Sequence, residues 1–171
     1  ENLKSEIDAN MNDVLMSGSY VQGPMLKKFE AQASAYTGMA YAIGVGNGTD
    51  ALWLSLMALG IGAGDEVITT PMTFAATINT ILETGATPVL VDIDAGTLNI
   101  ERDAVEGAIT ERTKVILPVH FGGLACDLDG LGELAEERGL AIVEDAAHAA
   151  GSVYRGTRVG GHGHLACFSF Y

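Results

Sequence analysis

The spacing of apolar residues divides the chain into a helical start and a longer alternating part. In the start, four apolar residues recur at helical spacing: Ile7, Met11, Val14 and Leu15. This pattern predicts a first helix that stops at Gly18, and the residues GSYVQGP that follow predict a polar loop over 18–24. Pro24 then opens a second predicted helix, which ends at Gly38.

From Tyr41 onward, apolar runs alternate with helical patterns. We predict strands over 41–45, 66–70, 87–93, 114–121, 140–145 and 164–171, and helices over 49–59, 74–85, 101–110 and 128–139. The helix over 49–59 is apolar nearly all round, which predicts that it is buried, and Asp127 and Gly139 are suited to cap the last helix. Apolar strands spaced by helices predict an α/β fold, with a mostly parallel sheet covered by helices on both faces.

The same pattern indicates the domain organisation. We predict an N-terminal helical segment over 1–38 and one sheet domain over 39–171, because no repeat or Pro/Ser-rich linker interrupts the alternation. The strand-like run LACFSFY ends the chain without a loop or helix after it. We therefore expect the chain to be part of a longer protein.

Composition and charge narrow the choice of partners. Of the 171 residues, 22 are Asp or Glu and 9 are Lys or Arg, so the net charge is −13. Such a surface repels phosphodiester backbones and anionic lipids, and we predict neither a nucleic-acid nor a membrane partner. The two cysteines, Cys126 and Cys167, are too isolated for a disulfide framework, which indicates buried apolar positions and a cytoplasmic protein.

The glycine-rich stretch GVGNGTDAL, over 44–52, is typical of a phosphate site at a helix start. A dinucleotide fingerprint would need glycine at Thr49, and a triphosphate loop would need a Gly-Lys pair that the stretch lacks. What remains is a single phosphate held by backbone N–H groups and the Thr49 hydroxyl. The alternative is that Thr49 or Asp50 only caps the helix and the glycines form a tight turn.

The stretch EDAAHAAG, over 144–151, begins with the last two residues of the predicted strand over 140–145. Asp145 lies at the carboxyl end of that strand, where open α/β sheets bind ligands, and could pair with a cationic ring nitrogen. His148, three residues on, is predicted to lie on the same side of a helical turn. The alternative makes Asp145 a helix cap and His148 a core residue.

Two further residues are candidates at this edge of the sheet. Phe74 could stack on a flat cofactor or belong to the core, and Ser169 could present its hydroxyl to the same pocket or to a neighbouring backbone. We predict no metal site, because no C-x-x-C or H-E-x-x-H spacing occurs.

Taken together, the motifs resemble those of a known enzyme family. They are SGSYVQGP, GNGTDAL, DEVI, PMTFAAT, VLVDID, PVHFGG, EDAAHAAG and FSFY. Their set and spacing, from about Ser17 to Tyr171, are similar to the DegT-type sugar aminotransferases, pyridoxal 5′-phosphate (PLP) enzymes of the aspartate-aminotransferase fold. The resemblance implies an incomplete PLP-transferase large domain that acts in a homodimer, with a nucleotide-linked keto-sugar and an amino donor such as glutamate as substrates.

The resemblance also implies roles for individual residues. The backbone at Gly48, Thr49 and Asp50, with the Thr49 hydroxyl, matches the part of the family that holds the cofactor phosphate, and Ser169 matches a second hydroxyl donor. Phe74 matches the aromatic residue stacked on the pyridine ring, and Asp145 matches the catalytic carboxylate that pairs with the ring nitrogen. His148 stands near the cofactor's 3-oxygen, where many members have Gln.

One departure from the family concerns the nucleophile. The Schiff-base lysine of the family lies a few residues after FSFY, and this chain's lysines stand elsewhere: Lys4, Lys27, Lys28 and Lys114. We therefore expect the chain by itself not to catalyse transamination. The alternatives within the same fold are a PLP-dependent sugar dehydratase, in which His replaces that lysine, and a non-catalytic regulatory relative. A doubly wound domain for another phosphorylated ligand also stays open.

Overall fold

The structure is a computed structural model that describes residues 3–170. The chain folds into two compact units, Glu1–Gly44 and Val45–Tyr171. The helices are α1 Leu3–Ser17, α2 Pro24–Thr37, α3 Gly48–Ala58, α4 Ala75–Glu83, α5 Arg102–Ala108 and α6 Leu128–Arg138. The strands are β1 Glu66–Thr69, β2 Thr87–Leu90, β3 Thr113–Ile116, β4 Ala141–Asp145, β5 Val153–Tyr154, β6 Thr157–Arg158 and β7 Leu165–Cys167.

The N-terminal unit contains the two helices that the sequence predicts. Helix α1 is followed by Gly18 at φ 66°, and α2 starts at Pro24 and is capped by Gly38 at φ 85°. Both glycines adopt left-handed backbone, which stops a helix and which residues with a Cβ rarely adopt. The predicted helix stops are confirmed.

The predicted strand over 41–45 is wrong. None of the described strands pairs with this segment, and Tyr41 and Ile43 are 86% and 81% exposed. The Gly44 N–H donates to the Glu30 carboxylate (2.9 Å) instead of joining a sheet ladder. An apolar run forms a strand only where a neighbouring strand accepts its hydrogen bonds.

The second unit is built on a five-stranded sheet in the order β2-β1-β3-β4-β7, in which every pair is parallel. Successive side chains in each strand point to opposite faces. Val67, Val115 and Val143 join a core with α3 and α4, whereas Ile68, Ile116 and Ile142 join a core with α5 and α6. The predicted α/β fold with helices on both faces is confirmed.

Helix α3 differs from its prediction in burial, and strand β3 differs in length. Helix α3 is not buried all round: Leu52 and Leu56 are buried, but Leu54 and Met57 are 44% and 49% exposed. A helix that lies on one face of a sheet buries only one stripe of its surface. Strand β3 ends at Ile116, well before Phe121.

Helix α6 has the caps that the sequence predicts. The Asp127 carboxylate accepts the Gly130 N–H, and Gly139 ends the helix at φ 65°. Within residues 3–170, no helix has both the length and the apolar character needed to cross a bilayer.

Candidate active site

The candidate residues of the second unit lie along one edge of the sheet. Because the strands are parallel, their carboxyl ends all reach this edge. Asp145 is the last residue of β4 and pairs with Cys167, the last residue of β7. Ser169 follows two residues after Cys167, and Phe74 follows five residues after the end of β1.

Asp145 is 6% exposed, and its carboxylate is held by two donors. Its Oδ2 accepts the hydroxyl of Thr77 on α4 (2.7 Å), and its Oδ1 accepts the Ala147 N–H (3.2 Å). The backbone is fixed as well: the Asp145 N–H donates to Pro118, and its carbonyl accepts the His120 N–H. Side chain and strand end are therefore both anchored.

Within residues 3–170, no lysine, arginine or histidine forms an ion pair with Asp145. A buried carboxylate is costly unless donors or a cation face it, and a carboxylate has about four acceptor positions. Two of these are used by Thr77 and Ala147. The donor set thus leaves positions suited to a cationic N–H group.

The residues after Asp145 form a turn, not a helix. The Ala149 N–H donates to the Ala146 carbonyl, and His148 lies exposed on this turn. Asp145 is therefore not a helix cap and His148 is not a core residue, so both alternatives are wrong. The prediction that His148 lies on a helical turn is wrong too, because none of the described helices includes this segment.

The start of α3 is capped by a residue that the sequence pattern did not single out. Asn47 is the cap: its side-chain oxygen accepts the Asp50 N–H (2.9 Å), and its amide group donates to the Asp50 carboxylate (3.2 Å). The alternative in which Thr49 or Asp50 caps the helix is wrong. Gly48 and Thr49 are the first two residues of α3, whose N–H groups have no partner inside the helix.

Gly48 and Ser169 lie against each other. A Cβ added at Gly48 would lie 2.7 Å from the Cβ and 3.0 Å from the hydroxyl of Ser169. No side chain fits between these two positions, so the start of α3 packs directly against Ser169. The glycine loop and the segment after β7 are thus close together, which is the proximity that the family resemblance implies.

Phe74 is 77% exposed at the start of α4 and is not a core residue. It follows Thr73, whose hydroxyl lies 2.6 Å from that of Thr77, the residue that donates to Asp145. A hydrogen-bonded chain therefore joins the Phe74 segment to Asp145.

A buried cluster behind the site was not predicted from the sequence. Glu144, fully buried, accepts hydrogen bonds from His120 Nε2 (2.9 Å) and His164 Nδ1 (3.1 Å). His120 Nδ1 accepts the Cys126 N–H (3.0 Å), which fixes its proton on Nε2. The alternation of side chains along a strand could have indicated this cluster. Glu144 is next to Asp145, so its carboxylate must point to the opposite face of the sheet, where a buried carboxylate needs hydrogen-bond donors.

Burial and hydrogen bonding act on the pKa of Glu144 in opposite directions. Burial alone raises it, but the hydrogen bonds from His120 and His164 outweigh burial and lower the pKa to about 2. Both cysteines are free and buried, as predicted, and burial raises the pKa of Cys126 to about 12 and that of Cys167 to about 11. In the described part of the chain, no group of three or more His, Cys, Asp or Glu residues is arranged to hold a metal ion.

The fold and this edge of the sheet define a large domain of the aminotransferase type. Comparison with known families agrees: the DegT/DnrJ/EryC1/StrS aminotransferase family matches residues 1–171. The chain belongs to this family.

Individual relatives are similar over almost the whole chain. The dTDP-3-amino-3,4,6-trideoxy-α-D-glucose transaminase of Streptomyces venezuelae is 48% identical, over 100% of this chain and 45% of its own length. The crystal structure of S. venezuelae DesV has a TM-score of 0.97 at 48% identity and covers 99% of this chain and 46% of that one. The PLP form of the putative sugar aminotransferase Spr1654 of Streptococcus pneumoniae has a TM-score of 0.90 at 40% identity. It covers 93% of this chain and 44% of that one. The chain spans less than half the length of the curated relatives it matches.

Proposed function

We propose that the protein containing this chain is a PLP-dependent aminotransferase of amino-sugar biosynthesis. It transfers the amino group of glutamate, or a similar donor, to a nucleotide-linked keto-sugar. The observation that carries the proposal is Asp145, a buried carboxylate with two neutral donors and no ion pair in the described chain. Family membership and the similar transaminase of S. venezuelae support the same activity.

The residues present fit the two charged ends of PLP. Asp145 suits the protonated ring nitrogen, because it offers a fixed anion in a buried place. The Gly48 and Thr49 N–H groups, the Thr49 hydroxyl and the adjacent Ser169 hydroxyl suit the phosphate. The α3 macrodipole directs its positive end at the same point.

When bound, PLP supplies an electron sink for the substrate carbanion. The role of Asp145 in that chemistry is to keep the ring nitrogen protonated. Phe74 would stack on the pyridine ring, because its large aromatic side chain is exposed at this edge and is not part of the core. His148 lies on the exposed turn beyond Asp145 and would stand near the 3-oxygen. Asp50 would contribute only its backbone to the phosphate site, since its carboxylate is tied to Asn47.

The remaining features of the proposal concern the whole protein. We propose a helical segment over 1–38 that precedes a PLP-binding domain over 39–171, and a cytoplasmic homodimer. The proposed activity is that of the whole protein, because none of this chain's four lysines stands where the family resemblance implies the Schiff-base lysine.

The test uses the full-length protein with PLP, glutamate and a nucleotide-linked keto-sugar. Asp145→Asn preserves the shape of the side chain but cannot hold the ring proton. We expect it to lower kcat about 100-fold or more, because a fixed charge partner of the reacting system is lost. Asp103→Asn is the matched control: its side chain is 84% exposed, and we expect the kcat of the unmodified protein.

Three results would contradict the proposal. An Asp145→Asn variant with unchanged kcat would show that Asp145 does not act in the reaction. A full-length protein that does not bind PLP would be a non-catalytic relative. A sugar product that has lost a hydroxyl and gained no amine would identify a dehydratase.

A further inference from the structure

Two threonines at the start of α4 form a directed hydrogen-bond chain that ends on Asp145. The Thr77 hydroxyl lies 2.7 Å from Asp145 Oδ2, and the Thr73 hydroxyl lies 2.6 Å from that of Thr77. Thr77 is fully buried and Thr73 is half-buried. The family resemblance implies no role for either of these two residues.

The chemistry of the three groups fixes the direction of the chain. A carboxylate only accepts hydrogen bonds, so the single proton of the Thr77 hydroxyl points at Asp145. The Thr77 oxygen can then only accept from Thr73. Donation from Thr73 to Thr77 polarises the Thr77 hydroxyl and strengthens its bond to the carboxylate.

The chain also restricts the orientation of the carboxylate. With Oδ2 tied to Thr77 and Oδ1 tied to the Ala147 N–H, the Asp145 carboxylate cannot rotate without breaking a hydrogen bond to a buried charge. The lone pairs of the carboxylate that accept no hydrogen bond therefore have a fixed orientation at the carboxyl edge of the sheet.

We propose that Thr77, supported by Thr73, is a positioning residue that aims the Asp145 carboxylate at the ring nitrogen of the cofactor. This inference rests on the proposed function. It extends that function to two residues that act through Asp145 without contacting the reacting atoms.

The experiment uses the full-length protein loaded with PLP that carries ¹⁵N at its ring nitrogen. Thr77→Val removes the hydroxyl and keeps the shape of the side chain, whereas Thr77→Ser keeps the hydroxyl. Thr80→Val is the matched control, because Thr80 is an equally buried threonine of α4 whose hydroxyl donates to the Thr77 carbonyl and not to Asp145. The ¹⁵N chemical shift at neutral pH, the Kd for PLP and the melting temperature of the cofactor-free protein are measured for each variant.

We expect Thr77→Val to shift the ¹⁵N signal toward the value of the unprotonated ring and to raise the Kd for PLP about 10-fold, the loss of one hydrogen bond to a charged group. Thr77→Ser and Thr80→Val are expected to keep the ¹⁵N shift and the Kd of the unmodified protein. If Thr77→Val does not fold, Thr73→Val weakens the same chain from a half-buried position, and a smaller shift in the same direction is expected.

A Thr77→Val variant with an unchanged ¹⁵N shift and Kd overturns the positioning role and leaves the proposed function intact. If Thr77→Val does not fold, an unchanged ¹⁵N shift in Thr73→Val overturns the positioning role in its place. Equal changes in Thr77→Val and Thr80→Val also overturn it, because they indicate a general effect of losing a buried hydroxyl. An unmodified full-length protein that does not bind PLP overturns both the role and the function.

Discussion

Glu144 and Asp145 are consecutive carboxylates of β4, and the alternation of the strand sends them to opposite faces of the sheet. Glu144 faces the α5 and α6 side, where His120 and His164 supply two donors to its two oxygens. Asp145 faces the α3 and α4 side, where a hydroxyl and a backbone N–H leave part of its acceptor capacity for a ligand. Glu144 has its partners within the described chain, whereas Asp145 forms no ion pair there.

At the scale of single residues, the first prediction concerns Glu144. Glutamine keeps one acceptor oxygen and replaces the other with an NH2 group, so one of the two histidine N–H groups loses its acceptor. We therefore expect Glu144→Gln to lower the free energy of unfolding by about 1–3 kcal/mol. The measurement is the melting temperature of the full-length protein with and without the substitution. Glu137→Gln, at an exposed position of α6, is the control and is expected to leave the melting temperature unchanged.

The pH dependence of this effect has a definite sign. Because the folded protein holds the pKa of Glu144 at about 2, below its ordinary 4.5, the ionised carboxylate stabilises the fold above pH 4.5. That stabilisation is lost as the pH falls from 4.5 through about 2. The difference in melting temperature between the unmodified protein and Glu144→Gln should therefore narrow over this range, and a difference that grows toward acid would contradict the assignment.

At the scale of elements, the site depends on how closely the start of α3 approaches the end of β7. Gly48→Ala places a methyl group 2.7 Å from the Ser169 Cβ, closer than two such carbons approach. We expect the strain to cost about 1–3 kcal/mol of stability and to weaken PLP binding by the full-length protein several-fold. Melting temperature and the Kd for PLP measure the two effects.

Gly107→Ala is the matched control for this substitution. Gly107 lies in the last turn of α5, and an added Cβ meets no atom within 4 Å. Alanine is a better helix former than glycine, so we expect unchanged PLP binding and a stability gain of up to about 1 kcal/mol. The close approach would be refuted by a Gly48→Ala variant that behaves like Gly107→Ala.

The elements that the sequence predicts well are those with local signals. Pro24, Gly38, Asp127 and Gly139 mark helix ends, and each acts within its own turn of backbone. The strand over 41–45 failed because strand formation requires a distant partner, which the apolar pattern alone does not reveal. The β5–β6 hairpin was missed although Arg155 and Gly156, both with positive φ, form its two-residue turn.

At the scale of the whole molecule, sequence and structure contribute different parts of the site. The periodic pattern placed Asp145 at the carboxyl end of its strand and made Ser169 a candidate for the same pocket, whereas Gly48 was assigned only through the family resemblance. It did not find the bond from Thr77 to Asp145 or the Glu144 cluster. Those contacts join residues that lie 68, 24 and 20 positions apart, on separate elements that only the folded chain brings together.

The central claim is that the complete protein moves an amino group through PLP held at Asp145. The most direct measurement is a single turnover of PLP-loaded full-length protein with an amino donor alone, tested separately with glutamate, glutamine, aspartate and alanine. We expect one of these donors to yield one keto acid per subunit while the absorbance band of PLP disappears. An unchanged PLP band and no keto acid from all four donors would contradict the claim.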